Sequence, residues 1–270
     1  MKTKNKKVLT LIFFFFLLSF KQKDSLIIQS TTSLQDAGFY NHLIKNFSMY
    51  DSVKIKVVAV GTGQAIKNSK NCDGDILLVH HKPSEISFIK NGYGLFRKEI
   101  MYNDYVLIGP KNLFDSFKSI NNITEALELI YYKQLNFVSR GDESGTHKKE
   151  KELWEKAGIN INVKKDKWYF EAGSGMGASL NFAVNKSAFV LADRSTWLAF
   201  GNKKNHKIIV ENFPNLLNYY GIIPINPKKC PRTNILKAKK LINWLESDIG
   251  KDSINSFRVN GKQVFFTGKN

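Results

Sequence analysis

Four short segments rich in hydroxyl and glycine residues stand where predicted strands meet predicted helices. They are Ser30–Ser33, Gly61–Gly63, Arg140–Thr146 and Gly173–Gly177. The first turn of a helix has free backbone N–H groups and a partial positive charge, and small or hydroxyl residues there let an anion approach the backbone. Several such helix ends that meet in one cleft would bind a small oxyanion through hydrogen-bond donors.

Each segment alone has an ordinary structural explanation, because Ser, Thr and Gly commonly cap helices. Four of them after successive strands favour a binding role. Arg140 strengthens this interpretation, since it directly follows a predicted strand and lies shortly before Ser144 and Gly145. From there a guanidinium can bind an oxyanion with two hydrogen bonds. Asp142 could cap the next helix or orient Arg140.

Arg194 is a second candidate for a fixed positive charge. It follows Asp193 at the end of another predicted strand. It could therefore line the same cleft or form a local ion pair at the surface, and the sequence leaves both readings open.

Catalytic motifs are missing from the chain, which has no nucleophile elbow, no phosphate-binding loop of the Walker type, no dinucleotide fingerprint and no His-Glu-x-x-His. Asp142, Ser144 and His147 have the composition of a triad. They crowd one loop and one helical turn, however, where the base cannot reach the nucleophile from elsewhere in the fold. We expect a binding protein that is not an enzyme and has no cofactor.

The adjacent histidines His80 and His81 do not indicate a metal site. Neighbouring side chains point apart, and no partner stands at ligand spacing. We predict a surface turn before Pro83 instead.

Strands and helices alternate along the chain. Runs rich in β-branched residues bounded by turn residues predict strands at Ser25–Gln29, Val53–Val60, Asp75–His80, Tyr105–Gly109, Asn136–Ser139, Trp168–Glu171, Ala188–Ala192, Lys207–Val210 and Tyr220–Ile225. Helical patterns occupy Ala37–Phe47, Gly63–Ser69, Ser84–Lys90, Ile123–Tyr132, Thr146–Ala157, Gly177–Asn185 and Ile235–Ser247.

This alternation predicts an α/β fold with right-handed crossovers between parallel strands. Two such units with no flexible linker suggest two lobes, each a mainly parallel sheet flanked by helices. We predict that residues 25–105 and 219–270 form lobe 1 and that residues 106–218 form lobe 2. The crossings would lie near Tyr102–Tyr105 and Tyr219–Gly221, and the ligand would lie in the cleft at the carboxyl ends of the strands.

The charge balance favours anionic partners. The 270 residues include 41 Lys and Arg against 23 acids, a formal net charge of +18. Only four of these lysines precede Phe20, so the excess belongs to the body of the protein. The lysines are scattered and are not interleaved with aromatic residues, which disfavours a nucleic-acid-binding surface.

The N-terminus predicts export. Lysines precede Val8–Phe20, an apolar run shorter than a membrane-spanning helix requires. We read residues 1–20 as a signal sequence and place the protein in the periplasm or another extracytoplasmic compartment. An uncleaved membrane anchor stays open, because no Ala-x-Ala cleavage site follows.

Two cysteines, Cys72 and Cys230, are present. They cannot build a structural zinc site, and in an oxidising compartment they could form one disulfide. Two separate buried thiols are the reading that the sequence favours.

Seven segments in order along the chain carry a further signal. They are IIQSTTSLQDAG at Ile27–Gly38, VGTGQA at Val60–Ala65, GDILLVH at Gly74–His80, MYNDYVLIGP at Met101–Pro110, SRGDESGTHKKE at Ser139–Glu150, GMGASL at Gly175–Leu180 and LADRSTWL at Leu191–Leu198. In these segments the chain resembles the tungstate-binding proteins of bacterial tungstate ABC importers. The resemblance implies a two-lobed periplasmic binding protein of type II that captures tungstate and delivers it to a membrane permease, acting as a monomer.

The resemblance also implies a ligand set that agrees with the strand-to-helix junctions. It would hold the anion by hydroxyl groups after the first strand, main chain after the second, and the Arg140 loop. Where the family usually has Thr, this chain has Ser30, which keeps the hydroxyl. With Arg194 included, the candidate ligand residues are Ser30, Thr31, Thr32, Ser33, Val60, Gly61, Thr62, Arg140, Ser144, Gly145, Thr146 and Arg194.

Two alternatives remain at this stage. The Arg140–Thr146 segment also resembles the anion loop of phosphate-binding proteins, in which the Asp accepts the proton of hydrogen phosphate, so phosphate or another tetrahedral oxyanion is a rival ligand. A membrane-anchored basic interaction protein or nucleic-acid-binding protein is an alternative of a different class. Tungstate and molybdate cannot be ranked, because both are dianionic tetrahedra of similar size.

Overall fold

The computed structural model describes residues 25–268. The strands are β1 (Ser25–Thr31), β2 (Lys54–Val60), β3 (Ile76–Val79), β4 (Lys98–Pro110), β5 (Phe137–Ser139), β6 (Tyr169–Glu171), β7 (Val190–Asp193), β8 (His206–Val210), β9 (Leu217–Pro224), β10 (Arg258–Val259) and β11 (Lys262–Gln263). The helices are α1 (Thr32–Asp36), α2 (Phe39–Ser48), α3 (Thr62–Lys70), α4 (Lys82–Lys90), α5 (Ile123–Tyr132), α6 (Gly145–Lys156), α7 (Met176–Lys186), α8 (Arg194–Ala199), α9 (Ile235–Glu246) and α10 (Asp248–Ser256). Segments Lys111–Phe117 and Pro214–Leu216 are 3-10 helices.

Most predicted elements recur with ends shifted by a few residues, whereas β4 begins seven residues before the strand predicted at Tyr105–Gly109. α5 illustrates the local cause, since the Asn122 side chain accepts a hydrogen bond from the Glu125 N–H and caps the helix. The helix then buries one face through Ile123, Leu127 and Ile130. Helix α10 was not predicted from the sequence. It begins directly after α9, where the Ser247 side chain caps the new helix.

One sheet extends through both halves of the chain in the order β2-β1-β3-β9-β4-β7, and β8 also pairs with β4. β2, β1 and β3 are parallel. β9 lies antiparallel to both β3 and β4, and β4 is antiparallel to β7 and β8. β5 and β6 form a separate parallel pair.

The prediction of a mainly parallel sheet in each lobe is therefore wrong for the part of the second lobe built on β4. The structure has a mixed sheet there. The reason is that β4 continues from its pairing with β9 into this part of the sheet, where β7 and β8 both run opposite to it.

β4 passes from one side of the molecule to the other. It pairs with β9 from Lys98 to Asp104 and with β7 from Tyr105 to Ile108. Two separate groups of buried apolar side chains lie on the two sides. One includes Leu26, Phe39, Tyr220 and Trp244, and the other includes Phe117, Phe137, Trp154 and Phe189. The exact lobe boundaries stay a prediction.

A disulfide joins Cys72 to Cys230, with the two Cα atoms 5.2 Å apart. The expectation of two separate thiols is therefore wrong. The bond connects the turn after α3 to the segment after β9, and Cys230 packs in one apolar cluster with Ala65, Leu77 and Phe88. The antiparallel pairing of β9 with β3 brings the two distant chain segments together.

The predicted signal sequence, residues 1–20, lies outside the described residues. Within residues 25–268, no helix has the length and apolar character needed to cross a bilayer.

Candidate functional site

The hydroxyl- and glycine-rich segments lie at the carboxyl ends of strands. Thr31 ends β1 and Gly61 caps α3 after β2, while Arg140 follows β5. Thr31 stands opposite Val60 in the parallel β1–β2 pair, so the first two junctions share one edge of the sheet. Each junction leads into a helix N-terminus, where free N–H groups are available.

The Arg140–Thr146 segment, which we call the anion loop, lies against residues of the first lobe. The Glu143 carbonyl oxygen would be 3.7 Å from a Cβ placed on Gly63. A Cβ on Gly145 would lie 2.5 Å from Cε1 of His80, so only glycine permits this approach. The structure thus brings strand-to-helix junctions from both lobes to one place.

Hydrogen bonds within the anion loop define its shape. The Asp142 carboxylate accepts from Arg140 Nη2 and, at 3.2 Å, from the Ser144 N–H. Glu143 has a positive φ of 57°, and its N–H donates to Nδ1 of His147 at 3.1 Å. The Ser144 side chain caps α6 by accepting from the His147 N–H. Both carboxylate oxygens of Asp142 are therefore engaged by the loop itself.

Two buried donors in this region have no hydrogen-bond partner among the described residues. They are Nε of Arg140 and Oγ1 of Thr62, the first residue of α3. Arg140 is 4% exposed and Thr62 is fully buried. Leaving a buried donor unpaired costs about 1–3 kcal/mol, and more when the donor is charged. A ligand that accepts a hydrogen bond from either donor would remove that donor's cost.

The remaining hydroxyls of the first junction are also at the site. Thr31 and Ser33 are buried, and their side-chain oxygens are 3.2 Å apart. Thr32 begins α1 and is partly exposed, as are Val60 and Gly61.

Ser30 is placed differently from the prediction. Its hydroxyl donates to the Leu78 carbonyl at 2.5 Å and accepts from the Tyr40 hydroxyl. Because a serine has one O–H hydrogen, Ser30 has none left for an anion. The Ser30 hydroxyl instead connects β1 to β3 and to α2.

Arg194 is also occupied. Its Nε and Nη2 donate to the two oxygens of Asp104 at 2.7 and 2.6 Å, and its Nη1 donates to Glu211 at 2.6 Å. These carboxylates raise the pKa of Arg194 above its ordinary value, with the Asp104 hydrogen bond as the largest cause. The structure therefore supports the local ion pair. Arg194 also lines a cavity of about 520 Å³, together with Phe213 and Phe266.

The fourth predicted junction lies next to the anion loop. Gly173 has a φ of +59°, and Gly175 caps α7. The Ser174 N–H donates to the Arg140 carbonyl oxygen at 3.3 Å. This junction therefore supports the backbone of Arg140.

Sequence reasoning missed a set of buried polar residues that connects the two sides of the site. The predicted surface turn is wrong for His80, which is 8% exposed and follows β3. The other members lie on the crossing strands or at the end of β7: Asn103, Tyr105, Asp193, Asn218 and Tyr220. The sequence did contain one signal for two of these residues. Like the predicted ligands, His80 and Asp193 stand at the carboxyl ends of strands.

Charge in the site comes from Arg140. Burial raises the pKa of Asp36, and the positive charge of Arg140 opposes that rise. Burial lowers the pKa of His80 to about 4, with a smaller contribution in the same direction from Arg140. His80 is thus neutral at physiological pH, and Arg140 is the cation at the site. Within residues 25–268 no cluster of three His, Cys, Asp or Glu residues is arranged to hold a metal ion.

Known proteins are similar to this chain in sequence and in fold. A family model described as a PBP superfamily domain matches residues 21–248. The tungstate-binding protein TupA of Peptoclostridium acidaminophilum is 41% identical over 245 residues, which cover 90% of this chain and 84% of that protein. The chain belongs to the TupA family within the PBP superfamily. This membership confirms the predicted periplasmic-binding-protein fold.

Solved structures of TupA-family proteins agree with the membership. The structure of the tungstate ABC transporter from Geobacter sulfurreducens is 39% identical, with a TM-score of 0.79 and coverage of 87% of this chain and 100% of that one. The TupA structure from Desulfovibrio alaskensis G20 is 36% identical, with a TM-score of 0.79 and coverage of 91% and 99%.

Proposed function

We propose that this protein captures tungstate in the cleft between its lobes and delivers it to the permease of an ABC importer. The observation that carries the proposal is that two buried donors, Arg140 Nε and Thr62 Oγ1, have no hydrogen-bond partner in the part of the chain that the structure describes and lie on junctions that approach each other. The names of the TupA relatives supply the identity of the anion.

The donor set suits an anion without a proton. Tungstate at neutral pH is a fully deprotonated dianion, so hydroxyls, backbone N–H groups and a guanidinium can satisfy it with donors alone. The candidate ligands are Thr31, Thr32, Ser33, Gly61, Thr62, Arg140, Gly145 and Thr146, with the N-terminus of α6 adding a partial positive charge. Asp142, the acceptor that hydrogen phosphate would need, is engaged by Arg140 and Ser144.

The biological setting follows from this role. An importer's binding protein works outside the cytoplasmic membrane, which agrees with the basic and apolar N-terminal sequence. Its partners would be the oxyanion and the membrane permease, it would act as a monomer, and it would carry out no chemical reaction and need no cofactor.

Calorimetric titration of the purified protein with tungstate, molybdate, phosphate and sulfate tests the proposal. We expect a strong binding heat with tungstate and none with phosphate or sulfate at the same concentration. Thr62→Val removes the buried donor at nearly constant volume and should weaken tungstate binding. Thr124→Val, on the remote helix α5, is the matched control and should bind like the wild type. Phosphate binding as tight as that of tungstate would contradict the assignment.

A further inference from the structure

His80 occupies a position that the ligand set does not explain. It follows β3, and its imidazole ring packs against the backbone of Gly145, the first residue of α6. A Cβ on Gly145 would lie 2.5 Å from Cε1 of His80 and 3.0 Å from each ring nitrogen. A buried side chain of the first lobe therefore contacts the helix N-terminus of the anion loop directly.

The same ring is hydrogen-bonded to both strands that connect the lobes. Nδ1 of His80 lies 2.9 Å from the Tyr105 hydroxyl on β4 and 2.9 Å from Oδ1 of Asn218 on β9. The Asn218 amide nitrogen donates to Asn103 Oδ1 at 2.8 Å. Since this leaves Asn218 Oδ1 as the acceptor toward the ring, Nδ1 of His80 carries the proton.

From His80 the hydrogen bonds continue along the crossing strands to the end of β7. Asn103 donates to the buried carboxylate of Asp193, which also accepts from the Tyr220 hydroxyl at 3.1 Å. Buried networks of this kind hold side chains in one arrangement when every member is satisfied.

We propose that His80 is a positioning residue for anion capture, holding the N-terminus of α6 against the crossing strands β4 and β9 when the lobes are closed. The inference rests on the proposed tungstate capture and goes beyond its ligand set, because His80 acts through Gly145, Tyr105 and Asn218. The anion enters the open cleft before this contact forms. Loss of His80 should therefore raise the dissociation rate while leaving the association rate nearly unchanged.

Two variants separate the ring from its donor. His80→Phe keeps a flat ring against Gly145 and loses the Nδ1–H, whereas His80→Asn keeps a donor near Nδ1 and loses the ring. His206→Phe is the matched control, because His206 is also buried but bonds the Ala188 carbonyl away from the anion loop. Tungstate dissociation is timed by the tungsten that the protein retains after rapid desalting, and the equilibrium constant comes from calorimetry on fractions shown by circular dichroism to be folded.

We expect each His80 variant to release tungstate roughly tenfold faster, a typical size for coupling between a contact and a binding site. The calculated association rate should stay within about twofold, and the His206 control should match the wild type in both rates. Wild-type dissociation rates in the folded His80 variants would overturn the proposal. A wild-type protein that retains no tungsten would instead refute tungstate capture itself.

A double-mutant cycle tests the contact from the other side. Gly145→Ala alone should weaken tungstate binding roughly tenfold or more, because its methyl group meets the His80 ring. In the His80→Ala background the methyl group has space, so the additional loss from Gly145→Ala should be several-fold smaller. Losses that multiply independently would show that the ring does not govern the position of α6, and would overturn the inference even if His80→Phe fails to fold.

Discussion

Arg140 donates from Nη2 to the carboxylate of Asp142, while its Nε is buried without a hydrogen-bond partner among residues 25–268. One edge of the guanidinium is thus held by its own loop, and another donor is left for a ligand. A guanidinium fixed in this way loses little further freedom when it binds an oxyanion.

Arg140→Ala should weaken tungstate binding far more than Arg194→Ala. Loss of a charge-assisted contact costs about 1.5–3 kcal/mol, which corresponds to roughly a tenfold to hundredfold rise in the dissociation constant. Arg194 is held by Asp104 and Glu211, so its removal should lower thermal stability and leave affinity within about threefold. Calorimetry and thermal unfolding of both variants check this. Equal, small losses of affinity would place the anion away from the anion loop.

Asp142→Asn should reduce tungstate affinity only modestly, because the amide oxygen can still accept from Arg140 or Ser144. The wild-type protein should resist displacement of tungstate by excess phosphate or sulfate, and its affinity should be nearly constant from mildly acidic to mildly basic pH. A competition titration followed by tungsten content measures both properties. Displacement by phosphate at a comparable concentration would make Asp142 a direct acceptor for a protonated anion.

Glu150 should make stability depend on pH. Burial raises the pKa of its carboxyl from 4.5 to about 7, against the opposing hydrogen bonds from Tyr169, Ser139 and Trp154. A raised pKa means that the folded state holds the proton more tightly than the unfolded chain does. The stabilising effect is therefore full below about pH 4.5 and is lost as the pH rises through 7, by about 1–3 kcal/mol.

Glu150→Gln should remove this dependence while it keeps an acceptor for the Tyr169 hydroxyl. Urea unfolding of the wild type and the variant between pH 5 and pH 8 measures the difference. Glu155→Gln, on the exposed side of the same helix, is the control and should follow the wild-type curve. Parallel curves for the wild type and Glu150→Gln would show that the carboxyl does not titrate in this range.

The disulfide between Cys72 and Cys230 should stabilise the fold without forming part of the site. It closes a long loop, with a sequence separation of 158 residues, which in the chain-entropy model corresponds to on the order of 3–5 kcal/mol. Replacing both cysteines with serine should lower the thermal midpoint and leave tungstate affinity within about twofold. Intact mass after alkylation without reductant reports the bond, and two alkylated thiols in the wild type would contradict it.

Most of the secondary structure could be predicted from the sequence because its causes are local. The apolar spacing and the Asn122 cap specify α5, and the hydroxyl and glycine residues after β1, β2 and β5 indicate helix N-termini that an anion can approach. The family resemblance over Ile27–Leu198 also placed the chain in its fold and ligand class. These signals depend on residues that are close together in the chain.

The tertiary structure decided what depends on distant partners. Ser30 and Arg194 had side chains suited to an anion. The Ser30 hydroxyl is instead hydrogen-bonded to Leu78 and Tyr40, and Arg194 is paired with Asp104 and Glu211. His80 was predicted to be exposed and is buried, because α6 and the crossing strands close over it. The disulfide formed because β9 returns beside β3. Sequence patterns report the residue types available for binding, whereas burial and partners on other strands and helices determine which donors are left free.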